Sequence, residues 1–367
     1  MILDELDAAS REALERHGFD APRFEALRAR IAAGTLGPAD NVVQGVVEPP
    51  RPDDLTPLPA PGEPGFDGAY AAGVAALRRG EIASVVLAGG MATRFGGAVK
   101  GVVEALDGRS FLELKLGETA RLAGALGAEI PVVLMTSLAT DAAVRAHVAE
   151  RGLGEPLVLS QFLAPRLCPD GSVFRDAEGR ASLYGPGHGD LLEALRLSGT
   201  LAALRERGVR HLLVSNVDNL GGRVDPAVVG AHLLAGRPLT VEVARKEGDS
   251  GGAPARVDGR MMLVEGFRFP PGFDEETIPV FNTNTSTIAV EALEQPVELT
   301  WLVVEKVVDG RPVIQLERLY HELASFVPTT YLVVPRRGPR GRFIPIKTPE
   351  DLERERPALR ELLAAPP

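Results

Sequence analysis

Short apolar runs alternate with helical patterns through the middle of this chain, and this alternation restricts the fold more than any other feature. The predicted strands cover residues 84–87, 132–135, 157–159 and 211–215, and the predicted helices cover residues 111–126, 141–150 and 190–207. Strands that alternate with helices form a mostly parallel sheet with helices on both faces. We therefore predict a doubly wound α/β fold around a mostly parallel or mixed sheet.

The flanking segments have other patterns. Residues 3–33 carry helical spacing, residues 46–67 form a Pro-rich extended strap, and residues 70–79 predict a short helix that ends at Gly80. Strand-like segments predominate after Leu239, at residues 239–243, 261–264, 302–304 and 331–334. These segments predict extra strands in or beside the main sheet.

Composition excludes several classes of protein. A net charge of −10 argues against a nucleic-acid polymer or an anionic membrane surface as the main partner. The single cysteine, Cys168, rules out an intramolecular disulfide and is typical of a reducing compartment. The N-terminus is acidic rather than signal-like, and no apolar run is long enough to span a bilayer. We therefore expect a soluble, cytoplasmic protein.

A glycine-rich loop follows the first predicted strand directly. Residues 88–101 hold five glycines together with Arg94 and Lys100. Glycines let backbone N–H groups approach phosphate oxygens, and the two side chains add positive charge. The spacing fits neither a Walker loop nor a dinucleotide fingerprint. The loop predicts a phosphate-rich ligand, and the alternative is a turn that binds nothing.

Asp218 follows another predicted strand, within the segment N-V-D-N at residues 216–219. Ligands of open α/β sheets bind at the carboxyl ends of strands. One carboxylate together with substrate phosphates is the usual way a protein holds Mg²⁺. Asp218 is therefore predicted to be a magnesium ligand, unless Asp218 and Asn219 only cap the next turn.

Further polar residues suit a nucleotide and a sugar. The Gln161 amide can read the edge of a pyrimidine, and the glycine-flanked His188 can approach a base or a phosphate. Asn282 and Asn284 offer the donors and acceptors that sugar hydroxyls require. The alternatives are an ordinary loop glutamine, a histidine at a helix entry, and asparagines in turns.

The loop L-A-G-G-M-A-T-R-F-G-G-A-V-K-G resembles the signature loop of the UTP-dependent sugar-1-phosphate uridylyltransferases, the UDP-sugar pyrophosphorylases. Ala92 replaces the middle glycine of the family loop, and Val99 replaces its proline. Similar segments follow in the family's order: P-G-H-G-D at 186–190, V-D-N at 217–219, G-G at 251–252, F-N-T-N-T at 281–285 and R-F-I-P-I-K-T at 342–348. The P-G-H-G-D segment is most similar to that of the UDP-glucose pyrophosphorylases.

The resemblance implies a nucleotide-diphospho-sugar transferase fold of the GT-A-like type. Residues 1–80 would be N-terminal helices and a strap that pack on the core, and residues 81–367 a nucleotidyltransferase catalytic domain. Only fifteen residues follow Leu352, so we expect no C-terminal β-helix of the kind that eukaryotic members carry.

The implied reaction converts UTP and a sugar 1-phosphate to a UDP-sugar and pyrophosphate with the aid of Mg²⁺, in a monomer or small homo-oligomer. Glucose 1-phosphate is the favoured sugar, and N-acetylglucosamine or galactose 1-phosphate are alternatives. A non-catalytic UDP-sugar-binding homologue is also open, because Ala92, Val99 and Ser250 depart from the family pattern; Ser250 replaces a lysine.

The resemblance also implies a role for each site residue. The residues implied to act on the phosphates are Arg94, Lys100 and Lys347. Lys306 is the second choice for the role of Lys347. The implied nucleotide-binding residues are Leu87, Ala88, Gly89, Gly90, Gln161, Gly187 and His188. The implied sugar-binding residues are Asn216, Gly252, Glu265, Asn282 and Asn284. Asp218 is the implied metal ligand.

Overall fold

The computed structural model describes residues 1–249 and 251–365, so Ser250 lies outside the described residues. Within these residues the chain forms nine α-helices: α1 (Ala8–Arg16), α2 (Ala21–Ala32), α3 (Phe66–Arg78), α4 (Phe111–Leu126), α5 (Asp141–Glu150), α6 (Asp190–Leu197), α7 (Thr200–Glu206), α8 (Pro226–Ala235) and α9 (Pro349–Ala364). The strands in the same part of the chain are β1 (Val47–Glu48), β2 (Leu55–Pro57), β3 (Ile82–Leu87), β4 (Met91–Ala92), β5 (Ala98–Val99), β6 (Glu104–Leu106), β7 (Arg109–Ser110), β8 (Val132–Thr136), β9 (Leu157–Ser160), β10 (Ala164–Pro165), β11 (Leu183–Tyr184), β12 (His211–Asn216), β13 (Leu239–Arg245), β14 (Ala253–Val257), β15 (Arg260–Val264), β16 (Val280–Ala289), β17 (Leu302–Val308), β18 (Arg311–Glu317) and β19 (Thr329–Val333).

Eight of the strands form one mixed sheet, in the order β2-β19-β13-β16-β12-β3-β8-β9. β16 runs antiparallel to both of its neighbours, whereas all the other neighbours pair in parallel. The register of β3 and β12 brings Leu87 opposite Asn216, so both strands end at the same edge of the sheet. The predicted α/β fold is confirmed, and no β-helix occurs within the described ranges.

Helices cover both faces of this sheet. All six residues of β3 are buried, as expected of a central parallel strand. Alternate side chains of β3 point to opposite faces, so Val85 packs with α6 and α7 while Val86 packs with α4, α5 and α9. The core therefore consists of two apolar layers separated by the sheet.

The predicted helices at residues 111–126 and 141–150 are confirmed at both ends. A capping box of Ser110 and Glu113 starts α4, and Gly127 ends it in the left-handed conformation. The single helix predicted over residues 190–207 is wrong, because Gly199 adopts a φ of 77° and divides it into α6 and α7. β16, α8 and α9 were not predicted.

The first 80 residues contact the rest of the chain in two ways. Side chains of α1 and α2 pack against the β17–β18 hairpin and the β10–β11 pair. β1 pairs with β14, and β2 forms the edge of the large sheet beside β19. A domain boundary at residue 80 stays a prediction. Among the helices of the described residues, none combines the length and apolar composition needed to cross a membrane.

Candidate functional site

A cleft of about 430 Å³ opens at the carboxyl end of β12, and ligands of open α/β sheets bind at such strand ends. Eight residues predicted from the sequence line it: His188, Asn216, Asp218, Gly252, Glu265, Asn282, Asn284 and Lys347. The remaining predicted residues belong to two neighbouring groups, the glycine-rich loop and the surroundings of Gln161. The predicted site residues thus come from distant parts of the chain to one edge of the sheet.

The glycine-rich loop folds as a small hairpin at the side of this cleft. β4 pairs with β5, and Gly96 and Gly97 turn the chain with positive φ values of 76° and 82°. Lys100 follows β5, and its Nζ lies 2.5 Å from Oδ2 of Asp218. Arg94 is exposed near the tip of the hairpin and is not among the residues that line the cleft. The loop therefore brings Lys100, but not Arg94, to Asp218.

Gln161 lies between the start of the glycine-rich loop and the P-G-H-G segment. A Cβ atom at Gly89 would come within 2.9 Å of Nε2 of Gln161, and one at Gly185 would collide with Oε1. The Gln161 backbone N–H donates to the carbonyl of Thr136 at 2.9 Å. The two glycines therefore leave room for this amide, which a side chain at either position would displace. Leu87 and Ala88 are buried behind it, and Gly90 is exposed.

The loop after β12 connects Asp218 to the segment that carries Lys347. The Asn219 side chain accepts from the backbone N–H of Ile344 and donates to the carbonyl of Arg342, each at 3.0 Å. The backbone N–H of Ile346 donates to the carbonyl of Asp218 at 3.2 Å. These bonds hold the exposed Lys347 at the rim of the cleft.

A bulge in β16 aims its asparagines into the cleft. The register between β13 and β16 shifts between Glu242 and Val243. Asn284 lies in the bulge with a φ of 57°, a conformation that few non-glycine residues adopt. Its Nδ2 donates to Oδ1 of Asn216 at 2.9 Å, and its backbone N–H donates to Oδ1 of Asn282 at 3.0 Å. The bulge therefore joins three predicted sugar-binding residues.

Glu265 and Gly252 form the opposite wall. A Cβ atom at Gly252 would lie 2.6 Å from Oε1 of Glu265, so a larger residue there would displace this carboxylate from its present place. Nε2 of His321 lies 2.7 Å from the same oxygen. Burial alone would raise the pKa of Glu265, but the nearby His321 and Arg268 outweigh burial and lower it. Glu265 is therefore ionised and can accept from a hydroxyl.

His188 has a defined protonation state. Burial lowers its pKa to about 3, and the nearby His321 acts in the same direction. The backbone N–H of Tyr320 donates to Nδ1 of His188 at 3.3 Å, so the proton of the neutral ring lies on Nε2. His188 thus offers one N–H donor to a ligand. Gly187, with a φ of 95°, turns the chain just before it.

Sequence reasoning missed two functional candidates, His321 and Lys115. His321 lines the cleft, but in L-Y-H-E-L it looks like an ordinary residue of a helical turn. Lys115 lies in α4 beneath the cleft, and its Nζ donates to Oγ of Ser215 at 2.9 Å and to the carbonyl of Gly222 at 2.5 Å. Burial lowers the pKa of Lys115 to about 7. No motif signal marks either residue.

The donor set fits a magnesium ion that takes most of its ligands from the substrate. Among the described residues there is no cluster of three or more His, Cys, Asp or Glu side chains that could enclose a metal. Asp218 lines the cleft and is partly exposed, so its carboxylate is accessible to a ligand there. Such a site suits Mg²⁺, which binds one or two carboxylates together with phosphate oxygens and water.

Comparison with known proteins gives consistent matches. The family model described as UTP–glucose-1-phosphate uridylyltransferase matches residues 73–359. The UTP–glucose-1-phosphate uridylyltransferase of Astragalus penduliflorus is 32% identical over 288 residues, which cover 72% of this chain and 60% of that protein. This chain spans about three fifths of the length of the curated relatives that it matches.

Solved structures share the fold. A variant of the UDP-glucose pyrophosphorylase of Leishmania major, in complex with UDP-glucose, has a TM-score of 0.70 and 25% identity and covers 95% of this chain and 78% of its own. The UDP-N-acetylglucosamine pyrophosphorylase of Trypanosoma brucei has a TM-score of 0.76 at 20% identity, over 96% of this chain and 83% of its own.

Proposed function

This chain belongs to the UTP–glucose-1-phosphate uridylyltransferase family, as the sequence motifs predicted, and from this premise we propose that it converts UTP and glucose 1-phosphate to UDP-glucose and pyrophosphate. One observation carries the proposal. The Lys100–Asp218 pair, the Gln161 amide and the hydroxyl-binding group around Glu265 meet at one edge of the sheet. A nucleotide sugar requires groups that bind its phosphates, its base and its sugar, and these three sets of residues supply them in that order.

The proposed chemistry is a displacement at the α-phosphorus of UTP. An oxygen of the sugar phosphate forms the new bond, the bond to the bridging oxygen of the β-phosphate breaks, and pyrophosphate leaves. Lys100 and Arg94 neutralise the leaving group, and Lys347 steadies the attacking phosphate. Asp218 would hold Mg²⁺ with phosphate oxygens, and that ion would supply further positive charge. The attacking phosphate is already an anion, so no general base is required.

Backbone groups and one histidine complete the nucleotide site in this proposal. The N–H groups of residues 89–97 line the phosphates, and His188 donates from Nε2. Asp190 supports the same region, because its carboxylate accepts from Arg318 at 2.6 Å and from the backbone N–H of Phe162 at 3.1 Å. The hydrogen bond from Phe162 to Asp190 therefore joins the two loops proposed to face the base, and the buried Arg318 pairs with the same carboxylate.

The base preference follows from Gln161. In one fixed orientation its amide offers a donor to O4 and an acceptor to N3–H of uracil, whereas cytosine presents the reversed pattern and would require the amide to flip. We expect UTP to be preferred over CTP, and the Gln161→Leu variant to narrow the ratio of their kcat/KM values rather than to slow both equally. Equal use of all four nucleoside triphosphates by the native protein would contradict the uridylyl assignment.

The deciding experiment measures pyrophosphate release from UTP and Mg²⁺ with a panel of sugar 1-phosphates. We expect glucose 1-phosphate to give the highest kcat/KM. A preference for N-acetylglucosamine or galactose 1-phosphate would reassign the sugar. Binding of UDP-glucose without pyrophosphate release would instead favour a non-catalytic homologue. Omission of Mg²⁺ is expected to abolish release, and Asp218→Asn should weaken the dependence on Mg²⁺.

We also propose that the protein works in the cytoplasm as a monomer or small homo-oligomer. The single cysteine supports a reducing compartment. Light scattering of the purified protein measures the oligomeric state directly.

A further inference from the structure

His321 lies between two residues of the proposed sugar site. Its Nε2 is 2.7 Å from Oε1 of Glu265, and its Nδ1 is 3.3 Å from Oδ1 of Asn284. The side chain of His321 is only 4% exposed. Water therefore has little access to either nitrogen, and the two oxygens are their main polar neighbours.

Both oxygens can only accept hydrogen bonds. Glu265 is ionised, and the amide of Asn284 already directs its Nδ2 toward Asn216. A neutral ring would leave one nitrogen without a hydrogen within 3.3 Å of an oxygen that can only accept, whereas the imidazolium carries a hydrogen on both nitrogens. The approach of the carboxylate to Nε2 lies off the N–H direction, so attraction between opposite charges holds that contact.

The other groups around His321 are compatible with a positive charge on its ring. The ring of His188 lies 5.4 Å away, centroid to centroid, and is neutral because burial lowers its pKa to about 3. Tyr320 packs at 5.7 Å, also as a neutral group. The charge of Arg268 lowers the pKa of Glu265, and Arg268 is itself paired with Glu322 at 3.2 Å.

We propose that His321 is a positioning residue of the sugar site: as an imidazolium it holds the Glu265 carboxylate and the Asn284 amide in one fixed arrangement. The contacts continue from Asn284 to Asn216, so one row of polar groups links the end of β15, the turn after β18, the bulge of β16 and the end of β12. Oε2 of Glu265 is left to accept from a sugar hydroxyl. This inference rests on the proposed function for its ligand.

The first test separates sugar binding from nucleotide binding. In His321→Leu, we expect KM for glucose 1-phosphate to rise by about tenfold or more, because the carboxylate and the amide lose their shared partner. KM for UTP should stay within about twofold, since Gln161 and Lys100 are untouched. His321→Gln, which keeps an N–H donor, should recover part of the loss.

His211→Gln is the matched control. His211 is also partly buried and bonded, with its Nδ1 3.0 Å from Nε2 of His232, but it starts β12. It therefore lies at the opposite end of this strand from Asn216. The control should leave both KM values unchanged. Equal effects of His321→Leu on both substrates, or none on either, would overturn the proposal.

The second test needs no substrate. Nitrogen-15 spectra of the native protein, with the His321 signals identified by their loss in His321→Gln, should show hydrogen on both ring nitrogens at the pH of the assay. A neutral tautomer would overturn the proposal whatever the effect of the variants on KM. Failure of the native protein to release pyrophosphate would contradict the proposed function and leave this spectroscopic result to decide the inference.

Discussion

Lys100 is the cation that the structure brings closest to the proposed metal ligand. Its ammonium lies 2.5 Å from Asp218 and is partly buried in the hairpin of the glycine-rich loop. In the proposed reaction, the ammonium group would turn from the carboxylate to the substrate phosphates. We expect Lys100→Met to lower kcat by about two orders of magnitude, the scale for loss of one group that stabilises a transition state. Steady-state kinetics and a melting curve measure activity and fold separately.

Lys306→Met is the matched control for Lys100→Met. Lys306 lies on β17, its side chain is 47% exposed, and it faces Glu317 at 3.5 Å outside the cleft. Lys306→Met removes the same charge from a solvated surface, so kcat should stay close to that of the native protein. A similar loss of activity in both variants would contradict the special role of Lys100.

At the scale of elements, a buried ion pair anchors the segment that carries Lys347. The Arg342 guanidinium donates to both carboxylate oxygens of Glu242 on β13, at 2.7 and 2.6 Å, and both side chains are almost fully buried. Arg342→Met leaves this carboxylate buried without a partner. We expect the free energy of unfolding in urea to fall by about 3–5 kcal/mol.

The exposed Arg337 supplies the comparison for this prediction. It pairs with Glu247 at 3.0 Å on the surface, where ion pairs contribute little. Arg337→Met should change the free energy of unfolding by less than about 1 kcal/mol. If the two variants prove equally stable, the buried pair is not what holds the segment.

The elements also show why sequence predicts part of this fold and not the rest. The helices α4 and α5 carry their own apolar spacing and end signals, so local sequence defines them. β16 reads V-F-N-T-N-T-S-T-I-A, a polar pattern, yet Thr283, Thr285 and Thr287 are buried. Its place depends on backbone pairing with β12 and β13, which come from distant parts of the chain.

The same distinction holds for the site. Glycines, cations and amides within short motifs predicted most of the residues that line the cleft. His321 and Lys115 act through partners far away in the sequence, so no window around them carries a signal. Lys115, for instance, meets Ser215 and Gly222 only after α4 packs beneath β12.

At the scale of the whole molecule, the buried Lys115 makes stability depend on pH. Its hydrogen-bond acceptors, a hydroxyl and a backbone carbonyl, are neutral. Burial lowers the pKa of Lys115 from 10.5 to about 7 in the folded protein. Between these values the unfolded chain binds a proton that the folded chain does not, so raising the pH favours folding. Below about pH 7 both states are protonated, and the full cost of burying the charge is present.

Lys115→Met removes this titration. From about pH 7 to pH 10, the free energy of unfolding of the native protein should rise relative to the variant by about 1.4 kcal/mol per pH unit, the value for one proton. Urea unfolding of both proteins at several pH values measures the difference between their free energies of unfolding. The contributions of the other titrating groups cancel in this difference. Lys306→Met removes an exposed lysine, so its free energy of unfolding should change with pH in parallel with that of the native protein. Parallel curves for Lys115→Met would mean that Lys115 keeps its proton in the fold, and that the charge is stabilised by Asp218 and Glu242 more strongly than burial opposes it.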